Sequence, residues 1–297
     1  MPVLLGIDWG SSNRRAYVLD RQGRLLRRHA DGEGILHVDG NFEASLRALM
    51  GTLQVDQAEV LMSGMVGSRN GWQEVAYLDV AHPLTRLGEA LHEIPTGLIG
   101  TRCRIVPGYR FLDRHGMPDV IRGEEIQVFG ALRLGAPEGW FVLPGTHSKW
   151  VHVEGGRITE FRTYMTGEFY ATLRQHGLLA KLIESEDAVP EAFHAGLQAA
   201  RQGSFTHMAF CCRALVVTDM MPARHTASYL SGLLIGCELH DILQTGSGSP
   251  GNVIQIVGSP GLEQRYADAL AWAGLPTRIW QPDEAYLAAL RALAEVD

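Results

Sequence analysis

Apolar runs separated by short polar turns open the chain. Each run is typical of a β-strand, and glycine, serine or asparagine is present in the turns. Consecutive strands joined by tight turns indicate an antiparallel meander. We therefore predict three antiparallel strands, at residues 3–8, 14–20 and 24–30.

A helical period follows the meander. Four apolar residues between Phe42 and Leu53 recur every three or four positions, and this spacing predicts a helix at 41–53. The apolar run at 59–64 predicts a buried strand that ends in the glycine-broken loop SGMVGSRNGW. Residues 73–118 are irregular, so we predict substrate loops or a lid there.

The second part of the chain repeats this order in outline. Residues 123–135 predict a helix, because Glu124 and Glu125 suit the positive end of a helix dipole and Gly135 follows the last turn. Asp283 is the predicted N-cap of the closing helix. The remaining predictions are strands at 141–145, 149–153, 157–163, 253–257 and 277–280, helices within 167–243 and at 262–273 and 283–296, and a flexible loop at 245–252.

Charge and cysteine content exclude several classes of protein. The 297 residues include 26 basic and 33 acidic side chains, a net charge of −7, which argues against a nucleic-acid-binding surface. The N-terminus lacks the features of a signal peptide, and no apolar run is long enough to cross a membrane. We expect a cytoplasmic protein with small-molecule partners, and a homodimer is one option. The cysteines, expected to be reduced thiols, are Cys103, Cys211, Cys212 and Cys237.

Three glycine turns follow apolar runs, at 10–13, 145–148 and 258–261. Glycine lets backbone N–H groups approach phosphate oxygens closely. An acid, Asp8, lies two residues before the first turn. Three such turns in one chain indicate two lobes that hold a nucleotide.

Five longer motifs indicate a particular family of nucleotide-binding proteins. They are GIDWGSSNRRAYVLD, SGMVGSRNGW, MPDVIRGEEIQVFGAL, LPGTHSKWVHVEGGRI and MTGEF. With them the chain resembles the 2-dehydro-3-deoxygalactonokinases, within the sugar kinase/Hsp70/actin ATPase superfamily. The resemblance implies phosphorylation of the C6 hydroxyl of 2-dehydro-3-deoxygalactonate, with ATP and Mg²⁺ as cofactors. A kinase for 2-dehydro-3-deoxygluconate and a same-fold phosphatase or ATPase that uses water stay open.

The resemblance also implies a fold. We expect an α/β protein with the two-lobed ribonuclease H-like (actin-like ATPase) fold, in which helices flank mixed sheets. The N-terminal lobe, 1–123, would carry the first phosphate turn and the sugar-acid site. The C-terminal lobe, 124–297, would carry the second phosphate turn and the adenosine site, and the last helix can still pack back at the lobe interface.

The superfamily pattern implies roles for particular residues. Asp8 would hold Mg²⁺, usually through water. Glu124 would be the general base that accepts the proton of the substrate hydroxyl, with Glu125 and Asp8 as alternatives. The residues expected to bind the nucleotide are Gly10, Ser11, Ser12, Asn13, Gly145, Thr146, His147, Lys149, Gly258, Ser259 and Gly261.

A kinase for sugar acids has to bind a carboxylate, which arginine does with paired N–H groups. We assign this role to Arg69, with Arg122 and Arg162 in reserve. In MTGEF, helix capping by Thr166 and Glu168 is the favoured interpretation. The residues predicted to contact the substrate are Ser63, Gly64, Met65, Arg69, Asn70, Trp72 and Arg122.

Three competing classes make different predictions. A hydrolase of the same fold should turn over ATP equally well without a sugar acid. A Rossmann dehydrogenase should carry a GxGxxG turn after its first strand, and the first turn here lacks it. A sugar-binding regulator, the non-enzymatic alternative, would favour an added helix-turn-helix.

Overall fold

A computed structural model describes residues 3–185, 187–244 and 253–294. The backbone forms two compact units. The first contains the described residues up to Glu138, together with Val151–Phe161 and the described residues from Gln281 onward. The second contains Gly139–Trp150 and Arg162–Trp280. The predicted loop at 245–252 lies outside the described residues.

A six-stranded mixed sheet forms the centre of the first unit. The strands of this unit are β1 (Val3–Trp9), β2 (Arg14–Leu19), β3 (Leu25–Asp31), β4 (Ala58–Gly64), β5 (Leu78–Asp79), β6 (His92–Ile94), β7 (Arg102–Ile105), β8 (Tyr109–Leu112) and β9 (Pro118–Ile121). The sheet order is β3-β2-β1-β4-β7-β6. The predicted meander β1–β3 is antiparallel, whereas β1, β4 and β7 are parallel.

Helix α1 (Phe42–Thr52) covers one face of this sheet. Its side chains Phe42, Leu46 and Leu49 are buried in one cluster with Leu5 and Ile7 of β1. This is the apolar face that the helical spacing predicts. The region without a regular pattern contains the short strands β5–β9, of which β5, β8 and β9 form a separate three-stranded sheet.

Two further helices complete the first unit, and they explain why its boundary differs from the expected one. Helix α2 (Glu124–Arg133) and helix α9 (Pro282–Ala294) pack against each other. The approach is close because Gly130 has no side chain: a Cβ there would lie 1.7 Å from the carbonyl oxygen of Ala285. The first unit therefore extends past residue 123 to Glu138 and also includes the described residues from Gln281 onward.

The second sheet has the order β12-β11-β10-β13-β14. Its strands are β10 (Gly139–Leu143), β11 (Ser148–Glu154), β12 (Arg157–Tyr164), β13 (Ile254–Val257) and β14 (Thr277–Trp280). The helices of the second unit are α3 (Thr166–Gln175), α4 (Gly177–Ala180), α5 (Pro190–Ala199), α6 (Phe205–Val217), α7 (Thr226–Gln244) and α8 (Leu262–Trp272). Helix α7 is the most buried of these and packs closely on α5.

Within the described residues, no helix combines the length and apolar character needed to cross a membrane. The four cysteines are free thiols, as expected.

Candidate active site

The carboxyl ends of β1 and β4 meet at one edge of the first sheet. The two strands are parallel, with Asp8 opposite Ser63 and Trp9 opposite Gly64. The turn at 10–13 and the loop after β4 therefore begin side by side. This is the edge at which open α/β sheets bind their ligands.

The turn at 10–13 has a fixed backbone and exposed side chains. The Gly10 N–H donates to the carbonyl of Asn13 at 2.9 Å, and the Gly10 carbonyl accepts from the Ile35 N–H at 3.0 Å. The two serines and the asparagine of the turn are exposed. The turn therefore presents their polar groups to solvent.

Asp8 at the end of β1 is paired with a cation that sequence reasoning missed. Its Oδ2 accepts a hydrogen bond from Nη2 of Arg15 at 2.5 Å. The Arg15 guanidinium also lies 3.7 Å from the carboxylate of Asp283 in α9. The available signal was the hairpin register, which places Arg15 directly opposite Asp8. Asp283 itself accepts a hydrogen bond from the hydroxyl of Tyr17 at 2.8 Å. Because Asp283 lies in the first turn of α9, this bond links α9 to β2.

Two glycines bring the start of α2 to Asp8. Gly64 has φ +84° and Gly123 has φ +104°, both in the left-handed region. A Cβ on Gly123 would lie 3.2 Å from Cα of Gly64, and a Cβ on Gly64 would lie 3.3 Å from Oδ1 of Asp8. Glu124, the first residue of α2, is partly exposed, and its Oε2 accepts from the Arg122 N–H at 2.9 Å.

Glu125 lies inside the protein, unlike its neighbour. Its side chain is 0% exposed, and its Oε2 accepts from the Gly123 N–H at 2.7 Å. Burial, and next the charge of Glu124, raise the pKa of Glu125 to about 8. Glu125 is therefore protonated at neutral pH, and of the two acids only Glu124 is accessible to solvent.

A Glu125→Gln variant is expected to gain stability over the wild type as the pH rises. The folded-state pKa lies above the ordinary value of 4.5, so the stabilising contribution of Glu125 is complete below pH 4.5 and is lost progressively up to about pH 8. The full loss corresponds to roughly 4–5 kcal/mol, and glutamine does not titrate. Thermal unfolding of both proteins between pH 5 and pH 9 measures the effect. A difference in melting temperature that does not change with pH would contradict it.

Two residues predicted to contact the substrate, Ser63 and Arg122, are buried beside the loop after β4. The Oγ of Ser63 lies 3.0 Å from the hydroxyl of Tyr286, and Ser63 is 0% exposed. The guanidinium of Arg122 donates from Nη2 to the Val75 carbonyl at 2.7 Å and lies over the ring of Tyr77. Nε and Nη1 of Arg122 are buried without a hydrogen-bond partner among the described residues, and the substrate contacts of both side chains stay predictions.

The same loop exposes two other residues that were predicted to contact the substrate. Arg69 is 86% exposed and lies 4.0 Å from Glu74, which is the limit of an ion pair. Asn70 is also exposed. Trp72 is half-buried and stacks on Phe42, with ring centroids 6.1 Å apart, so much of its ring is used in packing.

In the second unit, two glycine turns meet at the carboxyl ends of β10 and β13. These strands are parallel neighbours, and Cδ of Pro144 lies 3.3 Å from the position of a Cβ on Gly258. Beside the turns is a cavity of about 360 Å³. Its walls include Gly145, Thr166, Ser231, Gly261, Arg265 and Tyr266.

The start of α3 supports the turn after β10. A Cβ on Gly167 would lie 2.4 Å from the carbonyl oxygen of Gly145. The Glu168 N–H donates to the Thr146 carbonyl at 2.9 Å. The Glu168 carboxylate lies 2.6 Å from Nε2 of His147. This part of MTGEF therefore fixes the turn.

The interpretation of MTGEF as a set of helix caps is wrong. Helix α3 has no side-chain cap. Thr166 donates instead to Oε2 of Glu238 at 2.6 Å, and Glu168 pairs with His147. Both side chains prefer partners outside the helix because the turn and α7 lie within reach.

The remaining predicted nucleotide contacts differ in exposure. Ser259 is exposed, and its carbonyl accepts from the first N–H groups of α8. Lys149 is 7% exposed. Because side chains alternate along a strand, Lys149 points to the sheet face opposite Ser148 and Trp150. Its predicted contact with a phosphate stays a prediction.

A solved structure of low sequence identity has the same fold as this protein. The (R)-2-hydroxyglutaryl-CoA dehydratase component A of Acidaminococcus fermentans has a TM-score of 0.51 at 12% identity, over 99% of this chain and 97% of that one. This similarity concerns the fold alone. Together with the helix-flanked mixed sheets and glycine turns, it confirms the actin-like ATPase fold.

Closer relatives identify the family. The profile of the 2-keto-3-deoxy-galactonokinase family matches residues 8–293. The 2-dehydro-3-deoxygalactonokinase of Escherichia coli (strain K12) is 33% identical, over 98% of this chain and 97% of its own. A solved structure from Sinorhizobium meliloti, named provisionally as the same enzyme, has a TM-score of 0.88 at 32% identity, over 98% of this chain and 96% of that one.

The chain belongs to the 2-keto-3-deoxy-galactonokinase family. It is a kinase, which confirms the predicted class of enzyme.

Proposed function

We propose that this protein transfers the γ-phosphoryl group of ATP to the C6 hydroxyl of 2-dehydro-3-deoxygalactonate. The observation that carries the proposal is the cluster in the first unit where Asp8, Gly64, Gly123 and Glu124 converge. The family assignment supports the choice of acceptor. Free thiols in the chain agree with a cytoplasmic enzyme.

The cavity of the second unit is the proposed nucleoside site. Its volume of about 360 Å³ lies in the range of small-molecule pockets. Gly145, in the turn at 145–147 before β11, borders it, and this turn offers backbone N–H groups to the phosphates. In the first unit, the turn at 10–13 is a second proposed phosphate-binding turn, with the exposed groups of Ser11, Ser12 and Asn13 as its ligand contacts. Because phosphoryl transfer depends mainly on positioning and charge neutralisation, such contacts are the main requirement.

Asp8 is the proposed carboxylate for Mg²⁺. No cluster of three or more His, Cys, Asp or Glu side chains suited to a metal occurs in the part of the chain that the structure describes. A Mg²⁺ ion bound to nucleotide phosphates needs only one or two carboxylates, so Asp8 fits this requirement. When bound, the ion neutralises charge on the phosphates. Arg15, bonded to Oδ2 of Asp8, adds a second positive charge at the same place.

Glu124 is the proposed general base. It is the accessible acid at the start of α2, beside the carboxyl ends of β1 and β4. A carboxylate there can orient the acceptor hydroxyl and take its proton during transfer. Glu125 is protonated at neutral pH and buried, so it is unsuited to this role.

Arg69 is the proposed partner of the substrate carboxylate, and Arg69→Ala is expected to raise the KM for the sugar acid about tenfold or more. The KM for ATP should change little. The matched control is Arg47→Ala, which removes another exposed arginine from an ion pair in the same unit. Steady-state kinetics with each substrate varied in turn measures both values. An unchanged KM for the sugar acid would remove Arg69 from the site.

A coupled ADP-release assay across a panel of sugar acids tests the proposed function. We expect the highest kcat/KM with 2-dehydro-3-deoxygalactonate and little ADP release without an acceptor. Preference for 2-dehydro-3-deoxygluconate would assign a different acceptor. Equal ADP release with and without sugar acids would indicate a hydrolase.

A further inference from the structure

A buried acid, Glu238, lies at the centre of the second unit. It belongs to α7 and is 2% exposed. Its Oε1 accepts from Oγ of Ser148 at 2.7 Å and from Nε1 of Trp150 at 2.5 Å. Its Oε2 accepts from Oγ1 of Thr166 at 2.6 Å and from the hydroxyl of Tyr266 at 2.9 Å. One side chain thus collects four hydrogen bonds.

The four donors come from three segments that surround the cavity. Ser148 and Trp150 lie on β11, directly after the turn at 145–147. Thr166 is the first residue of α3, and Tyr266 belongs to α8. Thr166 and Tyr266 also form part of the cavity wall. Glu238 therefore joins the turn to two walls of the proposed nucleoside site.

The bonding pattern suits a carboxylate at this position. Burial raises the pKa of Glu238, and the four hydrogen bonds oppose that shift. The indole of Trp150 can only donate, and the three hydroxyls can donate as well. A carboxylate satisfies all four groups, whereas an apolar residue would leave them buried without partners. The rest of α7 is mostly apolar, so the acid is an exception that packing alone does not explain.

We propose that Glu238 is a positioning residue for the nucleotide: it holds the turn at 145–147, the start of α3 and helix α8 in the arrangement that binds ATP. This inference rests on the proposed function, because it takes the cavity to be the nucleoside site. Glu238 and Ser148 are not among the residues that line the cavity. A substitution of Glu238 or Ser148 would therefore change ADP binding by moving the cavity walls, and not by removing a side chain that contacts the nucleotide.

Two variants disturb the network without direct contact with the cavity. Glu238→Gln keeps one acceptor oxygen but presents an amide N–H₂ to Thr166 and Tyr266, whose hydroxyls must then turn to accept. Ser148→Ala removes one donor from Oε1. We expect each variant to weaken ADP binding about tenfold. Glu238→Leu should bind ADP more weakly still than Glu238→Gln, so that glutamine at this position partly restores the affinity.

Tyr164→Phe is the matched control. It removes a tyrosine hydroxyl bonded at 2.6 Å to Asp241, another acid of α7, and Tyr164 is not among the cavity residues. The control should keep wild-type ADP affinity. Should Glu238→Leu fail to fold, the glutamine and Ser148→Ala variants still decide the question.

Calorimetric titration of ADP and of the sugar acid, together with thermal unfolding, gives the test. Weaker ADP binding in both variants, with sugar-acid affinity within about twofold of the wild type, supports the proposal. Unchanged ADP affinity overturns it and leaves the proposed function standing. Equal weakening of both ligands with loss of stability also overturns it, because a merely structural role would act in that way. A wild-type protein that binds no ADP overturns the proposed function as well.

Discussion

Glu124→Gln is expected to lower kcat by about two to four orders of magnitude, the range for loss of a general base. The amide has the size of the acid but cannot take the proton of the acceptor hydroxyl. Glu124 is not part of the cavity in the second unit, so the affinity for ATP should stay within about twofold. Steady-state kcat and calorimetric titration of ATP measure the two effects.

The adjacent Glu125→Gln variant is the control for this prediction. Glu125 is buried and, with a pKa raised to about 8 by burial and by Glu124, is protonated at neutral pH. Its amide variant should therefore keep kcat within a fewfold of the wild type at pH 7. Near-normal kcat in Glu124→Gln would reject Glu124 as the base, and a large loss in Glu125→Gln alone would transfer the role to its neighbour.

Gly167→Ala is expected to raise the KM for ATP by about tenfold or more. The new Cβ would lie 2.4 Å from the Gly145 carbonyl oxygen and 2.9 Å from Cα of Thr146. Both are backbone atoms of the proposed phosphate turn, so the turn has to move. A shift of a few tenths of an ångström in a phosphate-binding backbone is sufficient to weaken several hydrogen bonds together. Kinetics with ATP as the varied substrate measure the change.

Gly51→Ala is the matched control for Gly167→Ala. Gly51 lies in helix α1, and a Cβ there would meet no heavy atom within 4 Å. Because alanine favours a helix by roughly 0.5–1 kcal/mol over glycine, this variant should be as stable as the wild type or more so, with normal kinetics. An unchanged KM for ATP in Gly167→Ala would show that the turn does not hold the nucleotide.

The spacing of apolar residues within short segments was sufficient to predict several helices and strands. The meander β1–β3 follows from short turns between apolar runs, and α1 follows from the spacing of its buried side chains. The strands β5–β9 were not predicted because each has only two to four residues, too few for a period to show. The turns at 10–13 and 145–148 were predicted as glycine turns because a small set of residue types favours them.

The division into units and the burial of particular side chains depend on contacts between residues far apart in the chain, which the sequence pattern does not reveal. The membership of α2 and α9 in the first unit depends on the contact of Gly130 with Ala285, which lie far apart in the chain. In the same way, nothing local distinguishes exposed Arg69 from buried Arg122. For Glu238 a signal was present: it interrupts the apolar run LLIGCEL of α7, and an acid in such a run indicates a buried polar network.

A crystal structure with sugar acid, Mg²⁺ and a non-hydrolysable ATP analogue tests the central claim most directly. We predict that the C6 hydroxyl of 2-dehydro-3-deoxygalactonate lies about 3 Å from the carboxylate of Glu124, with its own carboxylate at Arg69. A sugar acid bound with no hydroxyl near Glu124 would contradict the account.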